Sequence, residues 1–267
     1  MRYFVNILLL SMFFAFPKNS AYAIINGHVV DSEDFKSYVS IRTESPFPSH
    51  SGAELNGCGG TLIAPRYVLT AFHCRGLFSD DRLEKGSVIV GINIQKDGTF
   101  QKKIEVIRVH YPPMPLDHER LDAAILVLRS DATFYGAKVA DIFVESPPLG
   151  AHTVTVGLGQ ALSGVSLEGY NSEVASQRYC DSDRVDFDER HDFCVGVKGS
   201  SQRTGFGDSG GPLYLKHPNE KKRFKYVGIV KGGVKASTHG VEETEYIRYT
   251  NVAALAEWLE SLGLTVD

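Results

Sequence analysis

The stretch Gly205-Phe206-Gly207-Asp208-Ser209-Gly210-Gly211-Pro212-Leu213 decides how the rest of this sequence is interpreted, because it places one serine among four glycines. Glycine allows a positive φ and lets another group approach the backbone closely. Ser209 can therefore lie on a tight turn whose amides at Gly207 and Ser209 point to one spot, as an oxyanion site for an acyl-transfer intermediate requires. The alternative is an ordinary glycine-rich turn that happens to contain a serine.

A serine hydroxyl is a weak nucleophile near neutral pH, so this hypothesis requires a base and a group that orients the base. The chain has nine histidines. Of these, His73 follows the apolar run Tyr67-Val68-Leu69, which predicts a buried strand that ends close to the imidazole. Asp122 precedes the apolar run 123–128 and is the candidate for the orienting carboxylate.

Three motifs together resemble those of the chymotrypsin/trypsin family of serine endopeptidases. They are Thr70-Ala71-Phe72-His73-Cys74, the strand-like run Asp122-Ala123-Ala124-Ile125-Leu126-Val127-Leu128, and Gly207-Asp208-Ser209-Gly210-Gly211-Pro212. The resemblance implies that His73 is the general base for Ser209 and that Asp122 fixes the tautomer of the imidazole. It also implies an oxyanion site formed by the amides of Gly207 and Ser209.

The residues from Gly207 to Gly211 also fit the G-x-S-x-G elbow of α/β-hydrolases. That fold places its acid and its histidine after the serine, whereas the order here is His73, Asp122, Ser209. The segment before Ser209 also lacks the alternating strand and helix units that a parallel sheet needs. The sequence therefore favours the protease family.

Short apolar runs separated by Gly, Pro, Ser and Asp predict an all-β protein. In the first half of the chain these runs cover 38–41, 61–64, 68–71, 88–94, 104–109 and 123–128, and in the second half 154–159 and 224–230. From the residues alone, a barrel and a sandwich are both open. The resemblance implies two six-stranded antiparallel β-barrels, one over about residues 30–130 and one over about 145–250, with a crossing between them at 131–148.

The end of the chain has a different pattern. Val252, Leu255, Leu259 and Leu262 fall at helical spacing. Asn251 can cap such a helix and Gly263 can end it. The sequence therefore predicts a C-terminal α-helix over about residues 252–262.

The first 23 residues predict a signal peptide. Arg2 precedes the apolar run 4–16, and Ala21-Tyr22-Ala23 has small residues at the two positions that a signal peptidase reads. The run is short for a membrane span. We expect a secreted or periplasmic protein of 244 residues without a membrane anchor after cleavage. By resemblance, the new N-terminus at Ile24 supplies an ammonium that pairs with Asp208.

Charge and composition limit the expected partners. Arg2 and Lys18 fall in the leader, which leaves 26 of the 28 basic residues against 32 acidic ones. A net negative chain argues against a nucleic-acid partner. We expect protein or peptide substrates, a monomer, and neither an organic cofactor nor a metal.

The four cysteines all follow the leader and fit an oxidising compartment. Three pairings are arithmetically possible. The resemblance selects Cys58 with Cys74 and Cys180 with Cys194. A further bridge of the family would need a cysteine where Gly205 stands.

Two residues bear on the substrate side chain that precedes the cleaved bond, the P1 residue. By resemblance, Arg203 forms the floor of the P1 pocket, where a cation would repel Arg or Lys and favour an acidic side chain. The alternative is that Arg203 turns outward. Ile247 stands where a glycine of the pocket wall is usual, and its bulk would favour small P1 residues instead.

The segment from Tyr226 to Gly233 resembles the one that pairs with the substrate backbone. Lys231 and Gly232 replace a usual serine and tryptophan there, while Gly233 fits the pattern. Lys231 either pairs with Asp122 or points to solvent. These departures keep open a second reading of the whole chain, a protease-fold binding protein with impaired catalysis.

Overall fold

The structure is a computed structural model that describes residues 24–43, 57–97, 99–113, 121–159, 166–180, 187–220, 222–236 and 244–265. The predicted signal peptide lies outside these residues. In the first half of the chain the strands are β1 (Ile24–Ile25), β2 (His28–Val29), β3 (Tyr38–Thr43), β4 (Cys58–Ala64), β5 (Tyr67–Thr70), β6 (Val88–Ile94), β7 (Phe100–His110) and β8 (Ala124–Leu128). In the second half they are β9 (His152–Gly157), β10 (Glu168–Ala175), β11 (Asp192–Gly196), β12 (Arg203–Thr204), β13 (Pro212–Lys216), β14 (Phe224–Ala236) and β15 (Thr244–Asn251). The α-helices are α1 (Asp80–Glu84) and α2 (Ala256–Ser261).

Six strands of the first half close into an antiparallel barrel in the order β3-β4-β5-β8-β7-β6. They form at the short apolar runs, whose branched side chains suit a pleated surface. Residues two apart along a strand point to the same side, so Val39 and Ile41 are both fully buried, as are Val88 and Val90. The interior of this barrel is thus filled by aliphatic side chains.

The second barrel has the strand order β11-β15-β14-β13-β9-β10 and is closed by the pairing of β10 with β11. Its interior contains the buried tyrosines Tyr170 and Tyr249, whose hydroxyls are hydrogen-bonded. The hydroxyl of Tyr249 shares hydrogen bonds with Thr155 (2.6 Å) and Tyr170 (3.2 Å). Two closed six-stranded barrels confirm the predicted all-β architecture.

The two shortest N-terminal strands attach the start of the described chain to the second barrel. Strand β2 pairs with the start of β10, so that Val29 lies opposite Glu168. Strand β1 pairs with β12, so that Ile24 lies opposite Thr204 and Ile25 opposite Arg203. The side chain of Ile24 is fully buried.

The C-terminal helix is present but is not a single α-helix over 252–262. The chain first forms a 3-10 helix over Val252–Leu255 and then continues as α2. The side chain of Asn251 caps it by accepting a hydrogen bond from the Ala253 amide (3.1 Å). A tight 3-10 turn is common at a helix N-terminus. Gly263 follows with φ of 73°, in the left-handed region that often ends a helix.

Both disulfides join the cysteines that the family resemblance pairs, Cys58 with Cys74 and Cys180 with Cys194. The first joins β4 to the segment after β5. Within the residues described above, no helix has the length and apolar character needed to cross a bilayer. In the same ranges, no group of three or more His, Cys, Asp and Glu side chains is arranged to hold a metal ion.

Candidate active site

His73 and Asp122 form a close pair at one end of the first barrel. The backbone amide of His73 donates to Asp122 Oδ1 (2.8 Å), and Nδ1 of the imidazole lies 2.6 Å from Asp122 Oδ2. A carboxylate only accepts hydrogen bonds, so the proton of the neutral imidazole lies on Nδ1. Nε2 is then the nitrogen with a free lone pair, which is the state that a general base requires.

The two residues of this pair come from neighbouring strands. Strands β5 and β8 pair side by side, with Thr70 opposite Ala124. His73 lies in a 3-10 helix (Phe72–Leu77) that follows β5, and Asp122 lies two residues before β8. Strand pairing in the barrel therefore determines the meeting of residues that are 49 positions apart.

Solvent reaches the imidazole but not the carboxylate. The side chain of His73 is 39% exposed, whereas that of Asp122 is 6% exposed. Thr250 covers the same region and donates from Oγ1 to the backbone oxygen of Asp122 (3.4 Å). A buried, doubly hydrogen-bonded carboxylate beside an accessible imidazole suits proton transfer to a substrate.

The Ser209 loop is held against the segment that carries His73. The amide of Gly59 in β4 donates to the carbonyl oxygen of Ser209 (2.8 Å), and Cys74 Sγ lies 3.8 Å from the same oxygen. Gly210 has φ of 76°, and a Cβ there would collide with Thr70 Oγ1. Glycine at this position is therefore required both by the backbone angle and by the close approach to the end of β5.

The second barrel holds the other side of the same loop. The amide of Gly210 donates to the carbonyl of Val230, and the amide of Val230 donates to the carbonyl of Gly211, both at 2.9 Å. The loop thus lies between the two barrels and is bonded to each. This is how the structure brings Ser209 beside the segment after β5.

The amides of Gly207 and Ser209 are available as donors. Gly207 has φ of 91°, in the left-handed region that favours glycine. In the described part of the chain, neither amide donates a hydrogen bond to a protein group. Two unused backbone donors next to a serine are what an oxyanion site needs.

Asp208 is fully buried behind this loop. Its Oδ1 accepts from the Gly159 amide (2.9 Å) and its Oδ2 from the Gly205 amide (2.7 Å). Burial raises the pKa of Asp208 to about 8, although the two amides oppose this rise. The carboxyl group of Asp208 therefore joins Gly205, at the start of this loop, to Gly159 in the segment after β9.

Lys231 does not point to solvent, so that alternative is wrong. Its side chain is 7% exposed, and Nζ lies 2.9 Å from Oδ1 and 3.1 Å from Oδ2 of the fully buried Asp192. Arg248 approaches the same carboxylate, with Nη1 3.8 Å from Oδ2. Burial raises the pKa of Asp192, while Lys231 and then Arg248 act to lower it. Lys231 is thus part of a buried ion pair between β14 and β11.

We expect Asp192→Asn to lower the free energy of unfolding by about 3 kcal/mol, because the variant removes the carboxylate that neutralises a buried ammonium. Urea unfolding of the variant measures this loss. The control is the double variant Asp192→Asn with Lys231→Ser, in which no buried ammonium remains. It is expected to regain part of the stability, and a double variant less stable than Asp192→Asn would contradict the ion-pair argument.

The residues expected in the P1 pocket lie in different environments. Arg203 lies in β12 opposite Ile25 and is partly buried. Gly233 and Ile247 are opposite each other in β14 and β15. A Cβ on Gly233 would lie 3.4 Å from Ile247 Cδ1, and Ile247 is buried. The structure brings Gly233 and Ile247 together, with the isoleucine filling the space that faces the glycine.

Sequence reasoning missed Asp192, Thr250 and Glu168. An acidic residue directly before Phe193-Cys194-Val195 was a signal for a buried, paired carboxylate, since unpaired charges are rarely placed in such a strand. No pattern in the sequence identified Thr250, whose contact with Asp122 depends on the packing of the two barrels.

Comparison with known proteins gives a family and many similar proteins, of which two are described. The family model described as Trypsin matches residues 24–259. Serine protease Hayan of Drosophila melanogaster is 26% identical over 254 residues, which cover 88% of this chain and 39% of that protein. Hypodermin-B of Hypoderma lineatum is 26% identical over 256 residues, which cover 88% of this chain and 86% of that protein. The chain thus spans less than half the length of the first and most of the second.

Proposed function

Because the chain belongs to the trypsin family of serine proteases, we propose that it is a secreted serine endopeptidase that cleaves peptide bonds through an acyl-enzyme on Ser209. The observation that carries the proposal is the pair of hydrogen bonds from His73 to Asp122, beside a docked loop that presents Ser209. The reaction needs neither an organic cofactor nor a metal.

Each group has one role in the reaction. His73 Nε2 takes the proton of Ser209 Oγ as this oxygen attacks the scissile carbonyl, and the amides of Gly207 and Ser209 bind the developing oxyanion. The imidazolium then donates its proton to the leaving amine. Asp122 keeps Nδ1 protonated throughout and stabilises the imidazolium. Water then attacks the acyl-enzyme through the same proton transfers and releases the second product.

A fluorophosphonate probe tests this proposal, because it reacts with a serine only when a base and an oxyanion site activate it. We expect labelling of the mature protein at Ser209 and none in Ser209→Ala. The matched control is Ser79→Ala, which removes an exposed serine and is expected to label as the unmodified protein does. A folded mature protein that remains unlabelled would instead support the protease-fold binding protein.

The proposed substrates are proteins or peptides whose P1 residue is not Arg or Lys. Arg203 adds positive charge to the expected pocket floor, and Ile247 occupies space opposite Gly233. Both features act against a long cationic side chain. A peptide-library cleavage profile separates acidic from small P1 residues, and preferred cleavage after Arg or Lys would overturn this part of the proposal.

The proposed activation step is removal of residues 1–23 during secretion, followed by pairing of the new Ile24 ammonium with Asp208. Support comes from the burial of Ile24 and from the raised pKa of Asp208, which is about 8 and indicates a carboxylate that needs a cation. The mature enzyme would act as a monomer in the periplasm or outside the cell. N-terminal sequencing tests the step, and a mature N-terminus other than Ile24 would exclude it.

A further inference from the structure

Asp208 lacks a cationic partner within the described ranges of the chain, although its side chain is fully buried. Among the residues that the structure describes, its two oxygens accept only the backbone amides of Gly159 and Gly205. Burial raises its pKa to about 8, which is above the value of an exposed aspartate. The loop without a cation is therefore most stable at low pH and loses stability as the pH rises to about 8.

A second carboxylate, that of Glu168, faces Asp208. Glu168 in β10 pairs with Gly157 in β9, and directly opposed residues of an antiparallel pair point to the same face of the sheet. A Cβ on Gly157 would collide with Asp208 Oδ1, which fixes that face as the one covered by Asp208. The charge of Glu168 also contributes to the raised pKa of Asp208, after the larger effect of burial.

Glu168 has an unused acceptor at this place. Its Oε2 is buried and, within the described residues, makes no hydrogen bond. A buried carboxylate oxygen without a donor is costly and indicates a group that is still to be supplied. Asp208 already accepts one amide on each oxygen. A cation with several donors that binds Asp208 would therefore still have a donor for Glu168.

The residue that gains a cation on cleavage lies in β1, close to the strand that carries Glu168. Strand β1 begins at Ile24, whose side chain is fully buried. A Cβ on Gly27 would lie 2.7 Å from Ile24 Cγ2 and 3.0 Å from the carbonyl oxygen of Gly169. Gly27 therefore lies between Ile24 and the strand position that directly follows Glu168, and β1 contacts β10.

We propose that Glu168 is the second carboxylate of the activation pocket, and that the α-ammonium of mature Ile24 donates hydrogen bonds to both Asp208 and Glu168 Oε2. An ammonium has three donors, so it can satisfy one carboxylate oxygen on each side. This inference rests on the proposed activation step and adds a positioning residue to it.

Two carboxylates bind the ammonium more strongly than one. Before cleavage, Glu168 adds to the burial that keeps Asp208 protonated, so no ion pair holds the loop that carries Gly207 and Ser209. After cleavage, the same charge strengthens the hold on the ammonium. Among the described residues, Tyr38, Tyr170 and Tyr249 also interact with Asp208 electrostatically. Their raised pKa values keep them neutral at neutral and mildly alkaline pH.

The alkaline limb of the pH profile of the mature enzyme tests the inference, because the active loop is lost when the ammonium loses its proton. In Glu168→Gln, the midpoint of this limb is expected to fall by about one pH unit, since one of two nearby negative charges has been removed. The readout is the fraction of protein that the fluorophosphonate labels, measured at a series of pH values. The series begins at neutral pH and ends where the wild type is inactive.

The control is Glu173→Gln, which removes the same charge from the exposed part of β10 and is expected to leave the midpoint unchanged. Glu168→Asp keeps the negative charge but moves it away by the length of one methylene group. It should therefore lower the midpoint by a smaller amount than Glu168→Gln. It also provides a second variant if Glu168→Gln does not fold. Midpoints equal to that of the wild type in both Glu168 variants would overturn the inference while the proposed function stands. A wild-type mature protein that is never labelled would overturn the proposed function instead.

Discussion

Replacement of Ser209 by alanine is expected to lower kcat by roughly a factor of 10⁶, because the nucleophile of the acyl-enzyme route is removed. Replacement of His73 by alanine should cost about as much. Without the imidazole, the Ser209 hydroxyl has no group to take its proton at the moment of attack. The binding of substrate, reported by KM, should change far less than kcat.

The double variant of Ser209 and His73 is the sharper measurement. The two residues act as one unit, so once either is lost the other contributes nothing further to that route. We therefore expect the double variant to be no slower than the slower single variant. A residual rate above that in water should persist, because the amides of Gly207 and Ser209 still stabilise an oxyanion when water attacks directly.

Steady-state cleavage of a peptide that the wild type hydrolyses gives these rates, and thermal unfolding verifies that each variant is folded. Ser79→Ala serves again as the control and should keep the wild-type kcat. A double variant whose loss equals the product of the two single losses would mean that the residues act independently. That outcome would contradict the proposed proton transfer from Ser209 to His73.

Local sequence patterns were sufficient for the strands of the first barrel, whereas the closure into barrels was predicted from the family resemblance. The six apolar runs of the first half became the six strands of one barrel, since runs of four to eight branched residues between turn residues have few other stable forms. The helical spacing at the C-terminus also predicted the position of the helix correctly. It did not reveal the initial 3-10 turn, because Val252 and Leu255 lie on the buried face in either kind of helix.

Tertiary pairings explain what the sequence left open. Lys231 is opposed to Asp192 only because β11 and β14 both pair with β15. Glu168 faces Asp208 only because it is in register with Gly157. These partners are about 40 residues apart in each case. No short motif contains both members, and a register shift of one residue would turn either side chain to the opposite face.

The carboxylate of Asp122 accepts two different donors from one residue, and this geometry determines what an amide would do in its place. Oδ1 accepts the backbone amide of His73, and Oδ2 accepts from Nδ1 of the imidazole. Asparagine has the same shape but only one oxygen. If that oxygen keeps the backbone amide, the NH₂ group faces Nδ1 and donates to it. The imidazole proton must then move to Nε2, where it blocks acceptance of the proton of Ser209.

Asp122→Asn is therefore expected to lower kcat at neutral pH by roughly a factor of 10⁴ with the fold intact. Peptide hydrolysis gives the rate, and the nitrogen shifts of the imidazole in NMR spectra report which nitrogen is protonated. Asp188→Asn is the matched control, because Asp188 Oδ2 lies 2.8 Å from Nδ1 of His191 in a similar pair to which the proposed reaction assigns no role. It should leave kcat unchanged. An Asp122→Asn enzyme that retained the Nδ1 proton and the wild-type rate would contradict the role of this carboxylate as the group that sets the tautomer.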